Sequence, residues 1–246
     1  MARNELEKNA LIYSSPAIHA RRRRILEETR RMVAERGLAG FSMDEVGKRA
    51  GVAKRTLYNA FQTKEHMIAA AIHEYYVENY VARLPYTTQP GTLQRVVERM
   101  LFVMQRNRQI RNYISAVVAI YVSPDANPDI WATMHMMSVN ANMQWIESLK
   151  KKRQLQPWAD ARQIADDFAR IEYAIINDWC RGHVEDDRLA THLVTTLLTF
   201  MAGATRGAAR REIETTLEQF KTWGVPVPPA RALPAKINGA GARSAT

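Results

Sequence analysis

Residues 42–61 read SMDEVGKRAGVAKRTLYNAF, and their spacing decides the fold of the N-terminal part of the chain. Ser42 with Glu45 three residues on forms a capping box, so a helix begins just after Phe41. Val46 and Ala50 fall on its inner face, and Gly51 ends it, because the turn needs a positive φ that other residues adopt reluctantly. Val52 plugs the corner before a second short helix that points Leu57 and Phe61 inward. Gly47 lies four positions before the turn, where two tightly crossed helices bring their backbones together. Glycine there costs about 1 kcal/mol of helix propensity relative to alanine, which a packing constraint would justify. The pattern is that of a helix-turn-helix.

Outward from this stretch, strand signals are nearly absent and helix punctuation is frequent, so the chain reads as all-α, with about ten helical segments. Upstream, Arg22–Arg36 carries Ile25, Thr29, Met32 and Val33 on one face and stops at Gly37, although Ser15-Pro16 offers an earlier start. A longer helix is expected from Lys64 to Leu84, closed by Pro85. Further helices are expected near 92–106, 109–122, 128–153, 157–181, 187–208 and 209–222. Asn127-Pro128 and Gln156-Pro157 mark two helix starts, and Gly182 followed by Asp186 closes one helix and caps the next. The resulting division is a flexible N-terminal extension (1–18), a three-helix unit (19–64), a larger helical unit (65–222) and a Pro- and Ala-rich disordered tail (223–246).

The 246 residues carry a net charge of +10, unevenly distributed. Residues 1–64 hold 14 basic and 7 acidic residues (+7), and the rest of the chain holds 21 and 18 (+3), so an acidic partner is expected at the N-terminal end. The single cysteine, Cys180, excludes an internal disulfide framework. No signal peptide is visible, and the longest clean apolar run, Tyr113–Val122, is too short to span a bilayer. A cytoplasmic protein without membrane partners is therefore expected. Enzymatic readings are poor: Cys180 lies three residues before His183 with no group to orient that base, and the six histidines show no metal-ligand spacing. No catalytic residue, metal or cofactor is expected.

Phe41 to Lys64, with Gly51-Val52, Leu57-Tyr58, Phe61 and Lys64-Glu65, resembles the DNA-binding domain of the tetracycline-repressor (TetR) family of regulators. The resemblance implies a double-stranded DNA operator as partner, a homodimer, and a divergent C-terminal unit that binds an unknown small-molecule effector. It places Ser42 and Met43 near backbone phosphate, Lys54, Arg55, Thr56, Tyr58 and Asn59 on the recognition helix, and Lys64 at the start of the fourth helix. Two positions depart from the family pattern: Ala53 stands where Ser is frequent, and Ala60 where His is frequent. The residues support the same assignment on their own, because Arg and Asn at the N-terminal end of a short helix can bond guanine and adenine bidentately. The competing reading makes Leu57 and Phe61 plain core and the cations a solvated face. For Arg21, Arg22, Arg23 and Arg24, two readings stand level. They are a phosphate or minor-groove arm at the positive end of a helix starting near Arg22, or an ordinary solvated turn of a longer one.

In the C-terminal unit, large polarisable side chains could line an adaptable cavity. Met104, Tyr113, Trp131, His135, Asn142, Tyr173 and Asn177 are the candidate ligand contacts, with core packing as the alternative for each. Leu193, Leu197, Met201 and Ala204 belong to a wide apolar stripe on the helix near 187–208. Gly203 and Gly207 there would allow close approach, so the stripe suits a two-fold dimer interface. Together these features predict a one-component regulator whose ligand lowers operator affinity. Two other readings are a ligand-independent DNA-architectural protein and a small-molecule-binding dimer with lapsed DNA function.

Overall fold

The computed structural model describes residues 16–227. Among these, ten α-helices are joined by short connections, with no strand beyond one isolated Leu155–Thr205 bridge. They are α1 (Pro16–Arg36), α2 (Met43–Ala50), α3 (Lys54–Phe61), α4 (Lys64–His73), α5 (Leu93–Gln109), α6 (Arg111–Tyr121), α7 (Pro128–Lys151), α8 (Ala161–Cys180), α9 (Leu189–Ala204) and α10 (Gly207–Trp223). The all-α expectation holds. The expected extension and tail fall mostly on residues 1–15 and 228–246, outside the described residues.

Two cores organise the helices. A small one gathers Ile25, Leu26, Met32, Met43, Val46, Ala50, Leu57 and Phe61 from α1 to α3, with Met67 and Ala71 of α4. A large one fills the remaining helices and also takes Val33 of α1 and Ile68, Ala69 and Ile72 of α4. We call the two units the head and the body. Because α1 and α4 place one face in each core, they join the units, and the head's packing runs past Lys64.

Several local expectations are corrected. The helix expected to reach Leu84 is α-helical only to His73, then π-helical over Glu74–Tyr80 and 3-10 over Val81–Arg83. Tyr75 and Tyr80 are both buried and five residues apart, the repeat that an i→i+5 turn brings to one face. Helix α8 starts not at Pro157 but after Asp160, whose carboxylate accepts from the Gln163 N–H (2.8 Å). Asp186 caps nothing, because its carboxylate accepts from Trp179 Nε1 (2.8 Å) and Arg111 Nη1 (2.9 Å). Gly207 is the first residue of α10 rather than part of α9, and a Cβ on Gly203 would meet nothing within 4 Å. Asn127 behaves as expected: its Oδ1 accepts from the Asp129 and Ile130 N–H groups ahead of Pro128.

Candidate nucleic-acid interface

The head positions its second and third helices through backbone geometry. Ser42 takes an extended conformation and its Oγ accepts from the Glu45 N–H (3.4 Å). The reciprocal half of the capping box does not form. The Glu45 carboxylate instead accepts from Arg36 and Arg49, and Arg49 also reaches Glu35 (2.8 Å), so α1 is tied to α2 across the surface. The bond from Arg49, reinforced by Arg36, holds the Glu45 carboxyl below the usual carboxylate range. Gly51 is left-handed (φ 64°, ψ 41°), and the Val52 N–H donates to the Gly47 carbonyl at 2.9 Å. A Cβ on Gly47 would lie 3.1 Å from the Val52 carbonyl oxygen and 3.5 Å from Leu57 Cδ1, which explains a glycine inside a helix.

Helix α3 buries only Leu57 and Phe61. Lys54, Arg55, Tyr58 and Asn59 are exposed, Thr56 is half-buried, and Lys64 is exposed at the start of α4. Tyr58 is 44% exposed, with the Lys54 ammonium 5.9 Å from its ring centroid. Lys54 pairs with Asp44 (2.9 Å), and that bond pushes its ammonium pKa up, so the charge is permanent. Both partners are well exposed, and such a pair is weak enough for a phosphate to replace. Met43 opens α2, and its side chain is 8% exposed and belongs to the head core with Met32 and Leu57. Ser42 remains half-buried at that edge.

Sequence reasoning missed Gln62. It closes α3 at φ 63°, unusual for a non-glycine residue, and delivers Thr63 as the cap of α4, where its Oγ1 accepts from the His66 N–H (3.0 Å). That strained joint sets where Lys64 stands relative to α3, and no residue type announces it.

Helix α1 is already formed by Pro16, so Arg21–Arg24 do not stand at its positive end, and the dipole argument for a bound polyanion does not apply. Arg22 lies over the Phe61 ring (4.8 Å) and 3.9 Å from Glu74, and Arg24 Nε donates to the Ala50 carbonyl at the end of α2 (2.8 Å). These two fasten the head together. Arg21 and Arg23 are exposed and carry no bond to any described residue.

In the body, an internal cavity of about 60 Å³ opens between the π-helical segment and α5 to α8. Of the seven expected ligand residues it brings together Tyr113 and Tyr173. The other five lie outside its lining. Met104 is wholly buried in the core, and the Asn142 side chain accepts from Arg99 (2.8 Å) and donates to the Ser138 carbonyl (2.8 Å). His135 shares a proton with the Tyr121 hydroxyl on one nitrogen and with Asp166 on the other (both 2.9 Å), while Trp131 stacks on His135 and Tyr121. Asn177 is half-buried on α8 away from the cavity lining. The sequence reading passed over Tyr75, Tyr76, Arg106 and Glu172, which do line it. The EYYVENY run and a lone acid in the apolar stretch of α8 were the available signals.

The expected dimer stripe is also relocated. Leu193, Leu197 and Met201 are wholly buried and Ala204 nearly so, all in the body's own core, because α9 is wrapped by α5, α8 and α10. Cys180 is a half-buried thiol whose pKa burial pushes up, unsuited to nucleophilic work.

The family model described as bacterial regulatory proteins, TetR family, matches residues 25–71, the span that holds α2, α3 and most of α4. Residues 25–71 are thus similar to the DNA-binding domain of the TetR family. An HTH-type transcriptional regulator of Bacillus subtilis, YvaF, is 26% identical over 91 residues, covering 37% of this chain and 47% of that relative. The chain thus spans about half the length of the curated relative it matches. TetR-type structures extend the likeness into the body. TylP, a TetR regulator of Streptomyces fradiae, aligns at TM-score 0.57 and 20% identity over 85% of this chain and 97% of its own. NalD of Pseudomonas aeruginosa, a repressor of a multidrug efflux pump, aligns at 0.51 and 17% identity over 78% and 99%. At these identities the likeness is one of fold. No described helix is long and apolar enough to cross a membrane.

Proposed function

We propose that this protein is a cytoplasmic TetR-family transcriptional repressor that binds a palindromic DNA operator as a homodimer and releases it when a small molecule occupies the body. The observation that carries this reading is the outer face of α3. Lys54, Arg55, Tyr58 and Asn59 face solvent on a helix whose orientation is fixed by two buried residues, Leu57 and Phe61. Arg55 and Asn59 suit base edges in the major groove, and Lys54, Tyr58, Lys64 and the Ser42 hydroxyl suit phosphate. In this reading residues 19–64, with the head-facing side of α4, bind DNA, and 65–222 bind ligand and dimerise.

The dimer contact is assigned to the outward side of α9 and the neighbouring α8. Thr191, His192, Thr199 and Gly203 face solvent there, and the hydroxyls of Thr195 and Thr199 donate to the carbonyls of Thr191 and Thr195 (2.8 Å each), turning methyl groups outward. Ligand and DNA communicate through α4, which holds both cores: a ligand that favours a different head spacing must weaken operator binding by linkage.

Footprinting on DNA upstream of the protein's own gene tests the reading. The expected result is a protected palindrome with half-sites about 34–36 Å apart. A uniform, sequence-independent footprint overturns it. Thr199→Arg is expected to give a monomer by sedimentation and to lose the footprint, since one head alone makes too few contacts to bind tightly.

A further inference from the structure

The cavity is electrically lopsided. At one end lies Glu172, only 4% exposed, whose carboxylate accepts from the Ser138 hydroxyl. Its charge is balanced by Arg99, equally buried, whose guanidinium pKa is raised mainly by that carboxylate against the opposing effect of burial. At this end two buried opposite charges offset each other, although Arg99 Nε and Nη1 have no hydrogen-bond partner among the described residues.

At the other end no described carboxylate pairs with the cations. Tyr113 lines the cavity, is 9% exposed, and its hydroxyl has no hydrogen-bond partner among the described residues. Burial pushes its pKa far up, so the hydroxyl stays a donor. The Tyr75 ring stands edge-on to it at 5.8 Å. Arg106, also on the cavity wall, donates through Nε to the Tyr75 hydroxyl (2.9 Å) and through Nη1 to the neutral Gln109 side chain (2.9 Å). Arg30 lies over the same Tyr75 ring at 5.3 Å, and its Nη1 is shut off from solvent without a partner. No described carboxylate lies within ion-pair distance of Arg30 or Arg106.

Arg106 on the cavity wall, Arg30 behind the Tyr75 ring and the unsatisfied Tyr113 phenol thus lie near one another with no described carboxylate paired to either cation. A buried charge wants an opposite charge and hydrogen bonds, and a carboxylate supplies both to a guanidinium and a hydroxyl together. We infer that the cavity takes a small monocarboxylate with an apolar body, its carboxylate set between Tyr113 and Arg106 and its body against the aliphatic wall of α6. The inference rests on the reading of this cavity as the effector site. It also names the route of regulation, because Arg30 belongs to α1, a helix of the DNA-binding head. An organic cation would meet Arg106 on the wall, and an uncharged apolar molecule would leave the Tyr113 hydroxyl without an acceptor.

Calorimetric titration of the full chain with carboxylates whose bodies suit a cavity of this size (acetate, propionate, butyrate), each against its alcohol and its amine, tests the head group directly. At least one carboxylate is expected to bind about tenfold or more tightly than its matched alcohol, and the matched amines are expected to bind more weakly than either. Tyr113→Phe, which keeps the ring and its packing, should remove about a tenfold share of carboxylate affinity and cost the alcohol less. Arg106→Gln should do the same. If no carboxylate outbinds its alcohol, if an amine binds best, or if Tyr113→Phe and Arg106→Gln both leave carboxylate affinity intact, the inference falls. Operator release, followed separately by fluorescence anisotropy, distinguishes the two readings. A carboxylate that binds with this head-group order but leaves the protein on DNA overturns the repressor switch and keeps the ligand class. A compound of another class that releases DNA does the reverse.

Discussion

The core around Leu57 and Phe61 and the core around Met100 and Phe168 are built from the same kinds of residue, yet they expose function differently. In the head, two short helices have so little surface that every side chain not needed inside stands in water, and the outward residues of α3 form the candidate interface by default. In the body, the residues that could touch a ligand are themselves interior. A polar group there either completes the protein's own network, as Asn142 and His135 do, or is left over, as the Tyr113 hydroxyl is. Exposure sorts the head; hydrogen-bond satisfaction sorts the body.

The widest test of that contrast is Leu57→Ala, which should cost about 2–5 kcal/mol as a wholly buried leucine is cut back. The loss should fall on the head: operator binding should vanish while the body keeps its helical signal and its carboxylate affinity. A single cooperative collapse of both units, seen by circular dichroism, would mean that α1 and α4 couple the cores too tightly for the contrast to hold.

Within the head, Arg55→Ala should cost about 1–3 kcal/mol and relax preference at one base pair of each half-site. Lys64→Ala should instead weaken all sequences alike and lower the salt slope by about 1. Titrations against an operator set with single base changes separate the two, and a uniform loss from both would move Arg55 to the backbone-contact class.

The arginine run offers a sharper and smaller comparison. Replacing Arg21 and Arg23 with Gln should shallow the slope of log affinity against log salt by up to about 0.9 per lost contact, with stability unchanged. Replacing Arg22 and Arg24 should lower the thermal midpoint of the head, because these two hold Phe61, Glu74 and the end of α2. Equal slopes and equal midpoints in the two variants would break the division between them.

The smallest effect expected is on acid stability. Glu45 has a carboxyl pKa lowered in the folded state by Arg49 and Arg36, so its contribution is present above the ordinary carboxylate range and is lost as pH falls through the depressed folded value. Acid unfolding of the wild type should therefore show a loss below about pH 4.5 that Glu45→Gln lacks, provided salt is kept low.

Much of this was legible in order of locality. The turn at Gly51, the close approach at Gly47 and the inward Leu57 and Phe61 are fixed by neighbours within one helical turn, so spacing alone disclosed them. The capping box was half right. Its serine acts on the adjacent N–H, but its glutamate is claimed by Arg36 and Arg49, one of them from another helix. The α9 stripe was read as too wide for one subunit because periodicity counts apolar residues without knowing how many helices surround them. With α5, α8 and α10 packed about it, the whole stripe is interior.

The amino-acid order by itself determined the helix count, the turn that aims α3 and the concentration of cations at one end, since each depends on backbone preferences and short-range spacing. Only the tertiary structure decided which polar groups are satisfied. Whether Asn142 meets Arg99, or Tyr113 meets nothing, depends on side chains brought together from helices 31 or more residues apart, and no local pattern encodes that pairing.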